Sequence, residues 1–218
     1  MRCAATCDLG APAPYEALED AVADLNIDVL VCNHMFMFTP ADTPPILDMP
    51  LEAHSRMIDI NARAYTNLIH RFGRDMRDRG RGAIIIVATG AGLTSAPYTA
   101  AYAANKAFQI TLGEALWYEL QGSGVDILVM IGGLMNTQGD ALAKYPQWMI
   151  AEPPRVVREV LSAVGRKPMV IAGISHSRLL VRADPADVAT PGDLVNRPLH
   201  GVRAWQDQLG SRLTMSRI

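Results

Sequence analysis

Tyr102 and Lys106 stand four residues apart in the alanine-rich stretch Tyr102-Ala-Ala-Asn-Lys106. On a helix that spacing puts them on one face, one turn from each other. A phenol beside an ammonium has its anion stabilised, so it gives and takes a proton more readily near neutral pH. Thr89 lies thirteen residues before Tyr102, at the end of an apolar run, and can aim a hydroxyl at the same spot. Together these residues offer a proton donor, a charge that steadies its anion, and a second hydroxyl for a developing oxyanion. The competing reading is a buried tyrosine and a lysine stem lying along an ordinary core helix.

The elements that must position them follow from periodicity. The run from Ala83 to Ala88 predicts a strand, and Tyr102 to Gln121 predicts a helix stopped at Gly122-Ser123-Gly124. Residues 27–32, 125–131 and 169–172 are further strand candidates; 27–32 reads as a strand buried on both faces. Pro12 and Pro14 open a helix with Leu18, Ala21, Val22 and Leu25 on one side. A long helix over residues 50–77 turns Ile58, Tyr65, Leu68, Ile69, Phe72 and Met76 inward and carries Asn61. Pro153-Pro154 start a helix with Val156, Val157, Val160, Leu161 and Val164 inward, stopped by Gly165. This alternation predicts an α/β fold with a doubly wound parallel sheet, its ligands beyond the carboxyl ends of the strands. One domain spans 1–218, with a core at 2–173 and an irregular tail at 174–218 that has one helix near 202–213.

Composition narrows the function. The chain has 218 residues, half of them hydrophobic, and a formal net charge of -2, enough for one sizeable core. No basic excess draws a polyphosphate, so nucleic acid is not an expected partner. Three cysteines argue against a disulfide framework and for a reducing compartment. No leader peptide is visible, and no apolar stretch reaches the ~18–20 residues of a membrane helix. A cytoplasmic protein without a membrane partner is expected.

The order strand, Gly90-Ala91-Gly92 loop, Pro97, then the Tyr102/Lys106 helix resembles the short-chain dehydrogenase/reductase family. The likeness runs from about Asp8 to Gly173. Asp8-Leu9 matches the family's acidic turn after its third strand, and residues 27–31 match the strand leading to its Asn-Asn-Ala-Gly. Asn61 matches its mid-helix Asn, and Gly132 to Thr137 match its Pro-Gly-x-x-x-Thr loop. The resemblance implies a Rossmann-like sheet, truncated at its N-terminal side to about five strands. It also implies hydride transfer between NAD or NADP and an alcohol or ketone. Tyr102 is then the general acid/base, and Lys106 lowers its pKa and holds the nicotinamide ribose. Thr89 polarises the carbonyl, and Asn61 anchors a water linking Lys106 to solvent. Asp8, Leu9, Asn33, Lys106, Gly133 and Thr137 are the implied cofactor contacts. A homodimer through helices 50–77 and 102–121 is implied as well; Ala104, Phe108, Leu112 and Ala115 lie on another side of the second helix from Ala103, Ala107, Ile110 and Trp117.

Four departures stand out. The family opens with a strand, Gly-rich turn and helix that cradle the pyrophosphate, a unit on the order of 50 residues. Here Met1 falls at the start of what should be the third strand. Gly90-Ala91-Gly92-Leu93-Thr94-Ser95 mimics that turn, but Ser95-Ala96-Pro97 interrupts entry into the helix. Asn-Asn-Ala-Gly has become Cys32-Asn33-His34-Met35, where His34 reads as a base, as a metal ligand with Cys32 and Cys3, or as a histidine satisfied at a strand end. Thr89 replaces Ser, and Gly132 replaces Pro. With the leading strands missing, residues 2–6 are expected to slide in beside 27–32. Met35, Phe36, Met37, Phe38, Tyr98, Met135, Tyr145 and Trp148 are either a pocket for a small hydrophobic carbonyl or alcohol, or core. Two other functions stay open: a cofactor-independent lyase, isomerase or cyclase using Thr89, Tyr102 and Lys106, and a non-catalytic binding protein.

Overall fold

The structure is a computed structural model. It describes residues 5–11, 15–37, 45–94, 98–137, 142–143 and 145–173. Its strands are β1 (Val29–Cys32), β2 (Gly82–Thr89), β3 (Val125–Gly132), β4 (Leu134–Met135), β5 (Ile150–Ala151) and β6 (Met169–Ala172). Its helices are α1 (Glu16–Val22), α2 (Leu51–Ile58), α3 (Ala64–Arg79), α4 (Ala100–Glu119) and α5 (Pro153–Ala163). The main sheet is parallel throughout, in the order β1-β2-β3-β6, and β4 and β5 form a separate two-stranded ribbon. Parallel neighbours need crossovers, which the helices supply.

The sheet is covered on both faces. Ile84, Ile86 and Ala88 of β2 point to the side where Tyr65, Leu68, Ile69, Phe72 and Met76 of α3 and Ile110 of α4 are buried. Ile85 of β2 and Leu128 and Met130 of β3 point the other way, onto Val156, Val160 and Ala163 of α5. Residues of β2 alternate between the two cores because successive strand side chains take opposite faces. This is the doubly wound architecture expected from the sequence.

Among the described residues the sheet holds four strands where about five were expected. Residues 5–8 carry no strand, and β1 pairs only with β2. The described part of 2–6 therefore does not fill the slot beside β1; residues 2–4 lie outside the described residues. Val29 and Val31 are 55% and 53% exposed while Cys32 is 1% exposed, so the strand is buried on one face only. In α5, Val157 and Leu161 point outward, and Val156, Val160 and Ala163 make the inner stripe at i, i+4, i+7. The N-terminal helix ends at Val22 and leaves Leu25 outside it. The expected tail helix near 202–213 lies outside the described residues.

The long helix expected over 50–77 is broken into α2 and α3 by a π-turn at Asp59–Arg63, closed by the Ala64 N–H donating to the Asp59 carbonyl. A π-turn adds one residue to the helical count. Stepping back two α turns from the buried Tyr65 points to Ile58; one extra residue moves the inward position to Met57. Met57 is 2% exposed and Ile58 is 54% exposed, so the expected inward Ile58 is corrected to Met57. The outward side of α3 carries Thr66, His70, Arg71, Arg74 and Asp75 rather than an apolar stripe, whereas α4 exposes Ala104, Phe108, Ala115 and Tyr118. No helix among the described residues is long and apolar enough to cross a membrane.

Candidate functional site

β2 and β3 end together, Thr89 pairing with Gly132, and the parallel β1 ends on the same side three residues sooner, Cys32 pairing with Ile86. The loops after them therefore leave the same edge of the sheet, where open α/β folds hold ligands. Thr89 is in extended conformation (φ -147°) and opens a single turn of 3-10 helix at Gly90–Gly92, which its side chain does not cap. A Cβ on Gly92 would lie 2.6 Å from the carbonyl carbon of Lys106 and 2.8 Å from the amide nitrogen of Ala107. Gly92 thus lets the loop after Thr89 lie directly on the backbone of α4 at Lys106. That is a close-packing role, and it accounts for Gly92 without a phosphate.

Tyr102 and Lys106 share a face of α4, with the Lys106 Nζ 5.8 Å from the centroid of the Tyr102 ring. Tyr102 is half-buried, and Lys106 is only 4% exposed. The ammonium donates to the Gln109 Oε1 at 2.9 Å and to the Val87 carbonyl at 3.4 Å. Gln109, fully buried, donates from its Nε2 to the Asn61 carbonyl at 2.8 Å. The Asn61 side chain is committed elsewhere. Its Oδ1 accepts from the Phe36 N–H at 2.8 Å, and its Nδ2 donates to the Phe36 carbonyl at 2.6 Å. Asn61 lies in the π-turn, whose extra residue changes where its side chain and carbonyl point. It locks that turn to the chain leaving β1.

Electrostatics follow burial. Desolvation lowers the pKa of Lys106 to about 8. Burial raises the Tyr102 phenol above its ordinary value. The expectation that Lys106 holds this phenol below its ordinary value is therefore corrected. The ammonium is engaged by Gln109 and Val87, and burial is what sets the direction of the phenol's shift. Tyr102 is accordingly a protonated phenol at neutral pH, a donor.

Two buried groups were not singled out by sequence as parts of this site. The Tyr65 hydroxyl donates to the His34 carbonyl at 3.0 Å, with the carbonyls of Cys32 at 3.2 Å and Val87 at 3.5 Å around it, and so ties the ends of β1 and β2 together. Gln109 sits three residues after Lys106 on the same helix face, a polar residue amid Ala103, Ile110 and Gly113; that spacing was legible. His34 stacks on Tyr65 with ring centroids 4.3 Å apart. A hydrogen bond to the Ile60 backbone serves one ring nitrogen, and the Nε2 has no partner among the described residues. Burial first, and the Lys106 charge besides, lower the His34 pKa to about 4. Burial pushes the Cys32 thiol up to about 12, so it is not a thiolate. Among the described residues no three His, Cys, Asp or Glu side chains converge on a metal position; Cys3 lies outside them.

The remaining expected cofactor contacts are spread along the same edge. Asn33 is exposed after β1, Gly133 is half-buried after β3, and Thr137 is exposed beyond β4. The Asp8 carboxylate accepts from the Gly10 N–H at 3.0 Å and pairs with Arg56 at 3.1 Å; its pKa is lowered by the Gly10 bond and by Arg56. Leu9 is partly buried and packs against the core under α3. Of the expected apolar pocket, Met35, Tyr98 and Trp148 are exposed, and Met135 packs on the core under α5; Phe38 lies outside the described residues. The nicotinamide-ribose end of a dinucleotide fits this donor set: a buried ammonium with an N–H uncommitted among the described residues, beside a phenol. α1, the described helix after Asp8, has Glu16 and Glu19 in its first turn, which repel phosphate, so its own N-terminus is not a diphosphate site.

The chain is similar in sequence and fold to known proteins. Residues 3–146 match the family profile described as short chain dehydrogenase. A 7beta-hydroxysteroid dehydrogenase of Collinsella aerofaciens is 29% identical over 180 residues, covering 76% of this chain and 64% of that protein. A very-long-chain 3-oxoacyl-CoA reductase of Ajellomyces capsulatus is 33% identical over 152 residues, 70% of this chain and 44% of that protein. A solved structure concerned with 7beta-hydroxysteroid dehydrogenase stereoselectivity superposes with a TM-score of 0.69 at 28% identity, covering 78% of this chain and 66% of that one. The chain spans less than two thirds of the length of these two curated relatives.

Proposed function

Because the chain belongs to the short-chain dehydrogenase family, we propose that it carries the proton-transfer half of an oxidoreductase site acting on a ketone or secondary alcohol. The observation that carries the reading is the buried Lys106 ammonium one turn from Tyr102, bonded to the Val87 carbonyl near the carboxyl end of β2, the strand that ends at Thr89. The nicotinamide, when bound, supplies or accepts the hydride. Lys106 and Tyr102 would hold its ribose end, with Asn33, Gly133 and Thr137 along the same edge.

The chain's own residues do the rest. In the reducing direction the Thr89 hydroxyl donates a hydrogen bond to the substrate carbonyl oxygen, worth roughly 2–4 kcal/mol as negative charge develops there. The Tyr102 hydroxyl gives that oxygen its proton. The Lys106 charge opposes the cost of leaving a phenolate at this partly buried position. Asn61 holds the loop after β1 in place through Phe36. The named substrates of the two relatives, a steroid and a long 3-oxoacyl thioester, share a ketone or secondary alcohol on a large apolar body. We assign this chain a substrate of that class.

The test is a fluorescence titration of the full chain with NADH and NADPH. Micromolar binding of either, weakened in Lys106→Ala, supports the reading. Lack of binding of both would overturn it in favour of cofactor-free proton transfer by the same three residues.

A further inference from the structure

We propose that Gln109 is a positioning residue that fixes the Lys106 ammonium against the π-turn at Asn61. A buried ammonium is costly unless its N–H groups find acceptors. Among the described residues no carboxylate pairs with Lys106, so its close acceptors are neutral: Gln109 Oε1 at 2.9 Å and the Val87 carbonyl at 3.4 Å. The orientation of the Gln109 amide is dictated by chemistry. An ammonium only donates and a carbonyl only accepts. With Oε1 toward Lys106 and Nε2 toward the Asn61 carbonyl, both contacts are satisfied. The flipped amide would set donor against donor and acceptor against acceptor.

The bridge is anchored at both ends. Lys106 is fixed by α4, and Asn61 is held in the π-turn by its pair of bonds to Phe36. Gln109 itself is fully buried and has no room to turn away. Two of the three ammonium N–H groups are thereby directed, and tetrahedral geometry then sets the third. A neutral acceptor also leaves the full positive charge in place beside Tyr102, where a carboxylate would cancel it. The consequence for turnover rests on the proposed roles of Tyr102 and Lys106; the hold on the ammonium does not.

The experiment therefore needs neither substrate nor cofactor. The chain has three lysines, Lys106, Lys144 and Lys167, so lysine labelled with 13C at Cε gives three signals to follow by NMR as pH is raised. Lys106 is assigned by its loss in Lys106→Arg. Removing the acceptor in Gln109→Leu should lower the Lys106 midpoint by about one pH unit or more. Placing a carboxylate in Gln109→Glu should raise it by about one pH unit or more. A purely packing role for Gln109 leaves the Lys106 midpoint of Gln109→Leu unmoved, whereas Gln109→Glu raises it in either case. A Lys106 midpoint within about 0.3 pH unit of the wild type in folded Gln109→Leu would overturn the proposal. If Gln109→Leu does not fold, Gln109→Met, closer in length and likewise without the amide acceptor, takes its place: a lowered Lys106 midpoint supports the proposal and an unchanged one overturns it.

Discussion

Asn61 is where a small change should have a large and pH-dependent cost. Its side chain satisfies both backbone groups of Phe36 across twenty-five residues of sequence, and it is fully buried. Asn61→Ala leaves one N–H and one carbonyl without their partner. Each such loss costs about 1–3 kcal/mol. Phe36 is only half-buried, so water recovers part of this, and a total of about 2–4 kcal/mol is expected, a large share of a domain's ~5–15 kcal/mol. Asn61→Asp keeps the acceptor and loses the donor, setting a carboxylate against the Phe36 carbonyl. Burial and that repulsion raise the folded-state pKa of the introduced carboxyl. A raised carboxyl pKa means the protonated form is favoured in the fold, so this variant approaches wild type below about pH 4 and loses ground as pH rises through the raised value. Urea unfolding of wild type and both variants at about pH 4.5 and 7.5, followed by circular dichroism, measures this. An Asn61→Ala loss under about 0.5 kcal/mol, or an Asn61→Asp penalty equal at the two pH values, would refute the reasoning.

Two further outcomes follow from the same geometry. Gly92→Ala drives a methyl into the backbone of α4 at Lys106 and should cost about 1–3 kcal/mol. Gly90→Ala, with nothing within 4 Å of the added carbon, should stay within about 0.5 kcal/mol; equal effects in urea unfolding would contradict the packing argument. His34 is held neutral in the fold, with a pKa of about 4 from burial and the Lys106 charge. The unfolded chain takes up this proton below about pH 6.5, so the stability is complete above that value and is lost progressively down to about pH 4. Allowing for screening at a ring that is not fully buried, the loss is about 1–2 kcal/mol. It should be absent from His34→Gln, measured as the difference in urea midpoint between the two pH values.

Much of the scaffold was legible because it obeys simple periods. β2 ends at Thr89 as its apolar run does, and Tyr102 and Lys106 share a helix face because they are four apart. The π-turn was not legible. Met57 and Ile58 are both apolar, so hydrophobic spacing offers two inward residues and cannot locate the one-residue insertion that chooses Met57. The ribbon of β4 and β5 pairs Leu134 with Ile150, a partner that no local pattern names. Burial of β1 on one face only depends on what lies beside it, not on its own residues. At the site, the roles of Asn61 and Tyr65 are set by contacts with Phe36 and His34 far away in sequence. Gln109 was within reach of the helical spacing, as a polar residue on Lys106's own face. The direction of the Tyr102 shift depended on desolvation, which spacing does not report.

The central claim is that the Tyr102 hydroxyl delivers a proton to a ketone oxygen while a nicotinamide delivers hydride. Consumption of reduced nicotinamide by the full chain, with a 7-oxo steroid and a long 3-oxoacyl thioester as ketones, tests it in wild type and Tyr102→Phe. The account predicts turnover of at least one ketone by wild type and a loss of about 10²–10⁴-fold in the variant, with unfolding unchanged. Equal rates in the two proteins would contradict it.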